Sequence, residues 1–242
     1  MFEDVPQAAD RAHEGDYARY GHEVVTPPTP HGAGFAASVR LATPQGWRPA
    51  HALRAGDEVI TLDGGTQTVR EIFRQPVWSS TDACPANLWP YVVPAGALGN
   101  TGALTLMQGQ HVLFEEDAAL EMFGVFSVGV PVTELEGYFG ITRLAPVGRL
   151  ELVYLIMDQN EVLIAEGGAM ILCPAGKSRA SGDRAGRSLL SDEWSDQPES
   201  TGEGIDYPVL QPAHCESLLD ELVDRGGIGG TYMPEPDYAA LR

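Results

Sequence analysis

The feature that most constrains the fold is a series of short apolar runs, each followed by a turn signal, that begins at Gly34. VRLAT is followed by PQG, DEVITL by DGG and QTVREIF by RQP, and later runs include YVVPAGAL, QHVLF and LELVYLIM. Short runs rich in Val, Ile, Leu and Thr, separated by Gly, Pro and Asp, are typical of β-strands. Asp63-Gly64 lies between two such runs and predicts a hairpin, because both residues tolerate positive φ. We therefore predict an all-β body over residues 34–176.

A second hairpin is predicted around Asp158-Gln159-Asn160, which also lies between two β-rich runs. Helical periodicity is scarce in the body, and only TDACPANLW and AALEMFG are expected to supply a turn or two of helix. Farther on, PAHCESLLDELVDRGG predicts one amphipathic helix near residues 213–225, with Gly226 placed as its C-terminal cap. The apolar side chains of this helix, which are candidates for binding a partner, are Leu218, Leu219, Leu222 and Val223.

Two flanking zones differ from the body in composition. Residues 1–33 form an acidic extension that ends in the Pro- and Gly-rich linker TPPTPHGAG. Residues 177–242 form an acidic tail, which starts with a polar segment rich in Ser and Gly and is predicted to be flexible up to the helix. The chain is thus expected to have one folded body with two extensions.

The net charge excludes several classes of partner. The sequence has 34 acidic and 15 basic residues, and its formal charge is −19. Such a surface repels phosphate backbones and anionic lipid headgroups, so we expect neither nucleic-acid nor membrane binding. The amino terminus lacks the basic start and apolar run of a secretory signal, and no run approaches the ~18 apolar residues of a membrane span. We expect a cytoplasmic protein, or one exported without a cleaved N-terminal signal.

Metal and cofactor sites are also not expected. The three cysteines, Cys84, Cys173 and Cys215, are widely spaced and form no CxxC pair. The histidines do not cluster at ligand spacing either. Cys173 lies in AMILCP, where no cationic neighbour would lower the pKa of its thiol, so we expect a buried structural cysteine rather than a reactive one.

The opening block of the body carries a family resemblance. It keeps a fixed spacing of Phe35, Leu41 to Gly46, Leu53, Gly56-Asp57, Val59, Thr61, Asp63 and Gly65. In this spacing it resembles the bacterial Hedgehog/intein (Hint) domain family, whose pattern runs roughly Cys-Phe-x-x-Gly-Thr, then Ala-Thr-Pro-x-Gly, then Leu-x-x-Gly-Asp. VPAGALGN, QHVLF and VYLIMDQNEVLIAEG resemble later segments of that family in the same order. The resemblance covers Gly34 to Gly176 and implies a Hint-like β-fold of pseudo-duplicated hairpins.

The same resemblance places the site residues of the family on this chain. Family members self-process when a thiol or hydroxyl on the first residue attacks the carbonyl just upstream, assisted by a Thr-x-x-His or Ser-x-x-His element. Here the first position is Gly34, and the element retains His111 but has Gln108 in place of the hydroxyl residue. No His-Asn pair precedes a nucleophile at the far end. The resemblance therefore implies a degenerate site whose vestigial residues are Gly34, Gln108 and His111. From the residues alone, His111 is more readily interpreted as a packed or hydrogen-bonded strand histidine than as a vestigial base.

Three functional hypotheses remain open from the sequence. The leading one is a non-catalytic structural or protein-interaction module on a degenerate autoprocessing scaffold, with an unidentified protein partner and no cofactor. The second is a self-cleaving protein that uses a different nucleophile, for example Ser38, which would attack the Ala37–Ser38 bond instead. The third is an accessory component of a larger secreted or phage-like assembly.

Overall fold

The computed structural model describes residues 34–79, 83–175 and 207–228. The expectations for the N-terminal extension, the polar segment 177–206 and the last residues of the tail lie outside these ranges. Fourteen strands and two α-helices are present in the described part. The all-β body predicted from the sequence is confirmed.

The strands have the following bounds, in chain order. They are β1 (Gly34–Ala36), β2 (Arg40–Thr43), β3 (Gly46–Pro49), β4 (Glu58–Thr61), β5 (Gly65–Thr68), β6 (Glu71–Trp78), β7 (Tyr91–Val93), β8 (Leu104–Leu106), β9 (His111–Glu115), β10 (Ser127–Pro131), β11 (Thr142–Arg143), β12 (Leu150–Ile156), β13 (Glu161–Ala165) and β14 (Ala169–Cys173). The helices are α1 (Asp117–Phe123) and α2 (Pro212–Asp224), and short 3₁₀ turns cover Ala50–Ala52, Ala86–Leu88 and Val132–Leu135.

The strands form three sheets. A three-stranded sheet has the order β1-β12-β6, and another has the order β11-β7-β8. The large sheet runs β10-β9-β14-β13-β2-β3, and β13 also pairs with β4, which pairs with β5. Alternate residues of β12 face opposite sides, so Val153 and Leu155 join the main core while Leu152 and Tyr154 join a smaller cluster on the other face.

One of the two predicted hairpins is present and the other is wrong. β4 and β5 pair antiparallel, with Thr61 opposite Gly65, so the turn at Asp63-Gly64 forms as expected. β12 and β13 do not pair, because β12 pairs with β1 and β6 whereas β13 pairs with β14, β2 and β4. The Asp158–Asn160 connection instead carries the chain from one sheet to another. The local sequence is typical of a hairpin at both turns. The two turns differ only in the strands with which their flanking strands pair, and these partners lie far away in the sequence.

The two helices occupy the predicted segments. α1 falls within AALEMFG and the residue before it, and it ends at Gly124, which adopts the left-handed conformation at φ 74. α2 spans 212–224 against the predicted 213–225, and Gly226 follows it at φ 95. α2 packs against α1 and the 132–135 turn. Among the described residues, neither helix is long and apolar enough to cross a membrane.

Candidate functional site

Gly34 lies at the start of β1, in the interior of the protein. It is the cross-strand partner of Tyr154 on β12, and the strand continues with the buried residues Phe35 and Ala36. Its φ lies outside the left-handed region, so a residue with a side chain could adopt this backbone. The constraint at this position is therefore space rather than conformation.

The space that a side chain at position 34 would need is occupied by the Tyr154 ring. A Cβ atom built on Gly34 would lie 2.5 Å from Cε1, 3.0 Å from Cζ and 3.1 Å from Cδ1 of Tyr154. Contacts shorter than 3.0 Å are essentially never seen for a real Cβ, so the ring would have to move. Any residue larger than glycine at 34 requires a rearrangement of Tyr154.

Tyr154 is held in place by a compact apolar cluster. Its side chain is 6% exposed, and burial raises the pKa of its phenol. The buried members of the cluster are Val77, Met107, Leu150, Leu152 and Tyr154, and Phe73, Trp78 and Leu88 pack against them. Because the ring is packed among these neighbours, moving it would disturb contacts from several segments at once.

Met107 connects this cluster to the turn that contains Gln108. The backbone N–H of Met107 donates to the Gln110 Oε1 atom at 2.7 Å, and the Gln110 N–H donates to the Met107 carbonyl at 3.1 Å. Gly109 lies within this turn at φ 93, a conformation that favours glycine. Gln108 is exposed at the turn and has an amide where the family has a hydroxyl.

His111 follows the turn as the first residue of β9, opposite Pro131 of β10. Its side chain is half-buried, and this burial lowers the pKa of the imidazole below its usual range. The ring is therefore neutral at pH 7 and is able to accept a proton. A general base has no effect, however, without a nucleophile from which it can take a proton.

The structure brings some of the predicted site residues together and leaves others apart. Gly34 and the turn before His111 are connected through Tyr154 and Met107, and β1 contacts β8, the strand that leads into this turn.

Cys173 is buried, and its Sγ lies 3.7 Å from the Leu155 carbonyl. Asp57 accepts from the Arg54 N–H at 2.9 Å and pairs with Arg48 at 3.0 Å, so its carboxylate stabilises the Gly56-Asp57 turn.

Tyr154 and Met107 are the residues of this region that sequence reasoning missed. Each lies in an apolar run that predicts only a strand, and neither belongs to a catalytic motif. The alternation along β12 indicates that Tyr154 shares a face with Leu150 and Leu152. It does not indicate that Gly34 lies opposite, because that pairing joins residues far apart in the chain.

Other kinds of site find little support in the described residues. No group of three or more His, Cys, Asp or Glu side chains is placed to hold a metal ion in residues 34–79, 83–175 and 207–228. Burial raises the pKa of the Cys215 thiol to about 11 and also raises that of Cys84, so neither is an activated nucleophile.

The helix residues proposed for a partner are largely covered by the protein itself. Leu218, Leu219 and Leu222 are at most 1% exposed, whereas Val223 is 50% exposed. The buried stripe instead begins at Cys215, since positions i, i+3, i+4 and i+7 lie on one face of a helix. Three of the four side chains considered for a partner are thus covered by the body of this chain, and Val223 alone among them stays half-exposed.

The sequence profile of the family described as "Hint domain" (Hint_2) matches residues 33–170, more than half of the 242-residue chain. A comparison with curated proteins found no match.

Two intein-related solved structures match part of this chain. A bacterial intein-like domain from Clostridium thermocellum is 13% identical, with 58% of this chain and 97% of that domain covered at a TM-score of 0.38. The gp41-1 intein is 12% identical, with 60% of this chain and all of the intein covered, also at a TM-score of 0.38. The profile match covers most of the body and includes both the Gly34 position and the 107–111 turn, and on that ground this chain belongs to the Hint domain family.

Proposed function

We propose that this protein is a non-catalytic structural or protein-interaction module built on a Hint autoprocessing scaffold. The observation that carries the proposal is the Tyr154 ring in the space of a side chain at position 34. Self-processing in this family starts from a thiol or hydroxyl at that position, next to the carbonyl it attacks. Here there is no such atom and no room for one.

The rest of the site supports the same function. Gln108 lacks the hydroxyl that would assist the acyl shift, and its side chain is exposed. A neutral His111 contributes at most the ~10²–10⁴-fold of a general base, and only when a nucleophile is present. Proximity supplies most of the rate of such intramolecular reactions, so a nucleophile displaced by several residues is a poor substitute.

The direct test is the mass of the purified protein. After days at neutral pH, with and without hydroxylamine or a thiol, the chain should keep its mass of 25.9 kDa. Release of residues 1–33 would overturn the proposal, because it requires attack on the Ala33–Gly34 bond.

A series of variants tests the role of Tyr154. Gly34→Cys with Gln108→Thr restores both side chains of the family, yet it should remain intact because the new Cβ meets the Tyr154 ring. Adding Tyr154→Ala removes the ring and should give the highest cleavage of the series. Tyr154→Ala alone is the matched control and should stay intact. Equal cleavage with and without Tyr154→Ala would contradict the role given to the ring.

A second candidate function is favoured by one hydrogen-bond arrangement. The Ala37 carbonyl accepts from the backbone N–H of His51 at 3.0 Å and from the His51 Nδ1 at 2.7 Å, and this nitrogen carries the proton since a carbonyl only accepts. Two donors on one carbonyl oxygen would stabilise an oxyanion there. The next residue is Ser38, which is exposed in the turn between β1 and β2.

This arrangement suits self-cleavage at a different bond. The Ser38 Oγ would attack the Ala37 carbonyl carbon, the carbon–nitrogen bond would break, and an ester with a free Ser38 amine would result. Hydroxylamine would then release residues 1–37 as a hydroxamate. The same mass measurement separates the two functions, because a product ending at Ala37 that disappears in Ser38→Ala would favour this second function.

A further inference from the structure

The segment 207–228 lies outside the residues matched by the family profile, yet it covers a groove formed by matched ones. The groove is formed by α1, the outer edge of β10, which is the last strand of the large sheet, and the 132–135 turn. All three lie within residues 33–170. We call this surface the tail groove, and we call residues 207–228 the tail segment. The tail segment is either an integral part of the fold, without which the body unfolds, or a ligand that can leave the tail groove of a folded body.

The first contact is a strand pairing at the edge of the large sheet. Gly129 forms a parallel bridge with Val209. The Gly129 N–H donates to the Pro208 carbonyl at 2.8 Å, and the Leu210 N–H donates to the Gly129 carbonyl at 2.9 Å. A Cβ on Gly129 would lie 2.8 Å from the Leu172 side chain of β14 and 3.1 Å from the Val209 side chain, so glycine leaves room for both neighbours. Addition of an extended segment to a sheet edge is a recurring mode of peptide recognition.

The second contact is an apolar helix face. Cys215, Leu218, Leu219 and Leu222 occur at i, i+3, i+4 and i+7 and are at most 1% exposed. The His214 ring packs against Phe123 of α1, with 5.4 Å between centroids. This is the pattern by which an amphipathic helix binds in an apolar groove.

The third contact is polar and lies at the rim. The Tyr138 hydroxyl donates to Asp220 at 2.9 Å, and Arg225 pairs with Glu121 of α1 at 2.6 Å. Arg225 is a cation among the many acids of this surface, so it orients the end of α2 toward α1. The strand pairing, the apolar helix face and the polar rim contacts together specify the position and the chain direction of the tail segment on the tail groove.

The covalent connection does not impose this arrangement. Residues 176–206 separate the described body from the tail segment, and 31 residues can reach about 100 Å when extended. The end of β14 and the tail strand are three strand spacings apart across the large sheet, about 14 Å. An isolated helix of 13 residues is marginal in water, so α2 depends on the contacts of the tail groove for its structure.

We propose that the tail groove is a peptide-binding site and that the tail segment is its resident ligand, bound reversibly within the same chain. The inference rests on the proposed interaction function and names the surface through which it acts. The ligand is an extended residue pair followed by a helix with apolar positions i, i+3, i+4 and i+7 and a basic residue after its last turn. A tethered ligand has an effective concentration in the millimolar range, so peptides in solution compete poorly while the chain is intact.

The test cuts the tether in the full-length protein. A protease recognition sequence is inserted between residues 186 and 187, and a dye-labelled synthetic peptide of residues 207–228 is added before or after cleavage. After cleavage the labelled peptide should replace the tail, as seen by fluorescence anisotropy and size exclusion. Before cleavage it should bind at least about 100-fold more weakly, because the tethered copy competes.

Matched peptides establish the specificity of the exchange. Leu222→Asp places a charge on the buried face and should weaken binding by at least about 100-fold. Val223→Asp changes the neighbouring, half-exposed residue and should bind like the parent peptide. A concentration-dependent dimer of the uncut protein that is lost with Leu222→Asp would show a second copy's tail in the same groove and would support the proposal.

Two results would overturn the inference. In one, the cut tail never exchanges with excess peptide; in the other, the body loses its circular dichroism signal when the tail leaves. Either would make the tail segment an integral part of the fold. Neither result depends on cleavage near Gly34, so failure of this inference and failure of the proposed function are separate observations.

Discussion

Single residues determine what the region around Gly34 can do. Tyr154 blocks a side chain at position 34, and its ring is fixed by an apolar cluster that includes Met107. Replacing Gly34 alone therefore changes two things at once, because it introduces a reactive atom and displaces a packed ring. A side chain at position 34 is therefore coupled to packing, and it can be accommodated only with a change on the partner strand β12.

Glu116 has a carboxyl group whose surroundings disfavour its ionised form. It precedes α1, is 7% exposed and makes no side-chain hydrogen bond to the first turn of the helix. It lines a small pocket with Leu98, Val112, Phe114, Met170 and Ile228. Burial, and secondly the charge of Asp117, raise the pKa of Glu116 from 4.5 to about 7, although Arg225 opposes the shift.

We predict that Glu116 makes the protein less stable as the pH rises. The unfolded chain loses this proton near pH 4.5 and the folded chain near pH 7, so the contribution of Glu116 to stability falls across that window and is constant above it. Glu116→Gln removes the charge. It should increase the free energy of unfolding at pH 8 relative to the parent, by up to about 3 kcal/mol, and by little at pH 4. Urea unfolding at both pH values measures the difference, and an equal gain at both would contradict the assignment.

At the scale of elements, one contact joins two parts of the body that are distant in sequence. The turn between β13 and β14 packs on the 94–102 loop, where the Thr101 N–H donates to the Glu166 carbonyl at 2.8 Å. The Glu166 carboxylate is buried and accepts from the Arg40 backbone N–H at 2.8 Å and from the Arg40 guanidinium at 2.9 Å. Glu166 holds a left-handed φ of 46, which these bonds stabilise.

Gly168 is the residue that lets these two elements approach. A Cβ there would lie 2.1 Å from the Gly99 carbonyl oxygen, a backbone atom that cannot turn aside. Gly168→Ala should therefore reduce the free energy of unfolding by about 2–3 kcal/mol. Gly102→Ala is the matched control, because its Cβ would have no neighbour closer than 3.4 Å, and it should change stability by less than about 0.5 kcal/mol. Thermal unfolding of both variants checks the prediction, and equal losses would contradict it.

The elements themselves were largely predictable, whereas their partners were not. The β4–β5 hairpin and both helices follow from local signals such as Asp63-Gly64 and the apolar stripe of α2. The predicted hairpin at Asp158–Asn160 is wrong because β12 pairs with β6 and with the distant β1, whose Gly34 lies opposite Tyr154, 120 positions away. For the same reason the sequence indicates that Gly34 lacks a nucleophile but not that Tyr154 fills its space. Burial of Leu218, Leu219 and Leu222 against the body likewise depends on a groove formed by distant segments.

At the scale of the whole molecule, the charge of −19 is the property that most limits the choice of partners. It acts at long range, since the Debye length is about 8 Å at physiological salt and about 30 Å at 0.01 M. Repulsion between like charges therefore opposes the approach of any polyanion before short-range contacts form. The few basic residues are partly committed to ion pairs within the protein, as Arg40 is with Glu166 and Arg225 is with Glu121.

The charge predicts that the protein does not bind DNA or heparin. Binding to a phosphate backbone gains most of its free energy when Lys and Arg release counterions, and 15 basic against 34 acidic residues give little such gain. A gel-shift experiment should show no retarded band at physiological salt, and none at about 0.01 M, where any electrostatic attraction would be strongest. Strong retention on an anion-exchange column under the same conditions serves as the positive control for the folded, charged surface. A band that is retarded at low salt and persists at physiological salt would require a basic patch whose local field overcomes the net charge, and the expectation would then be wrong.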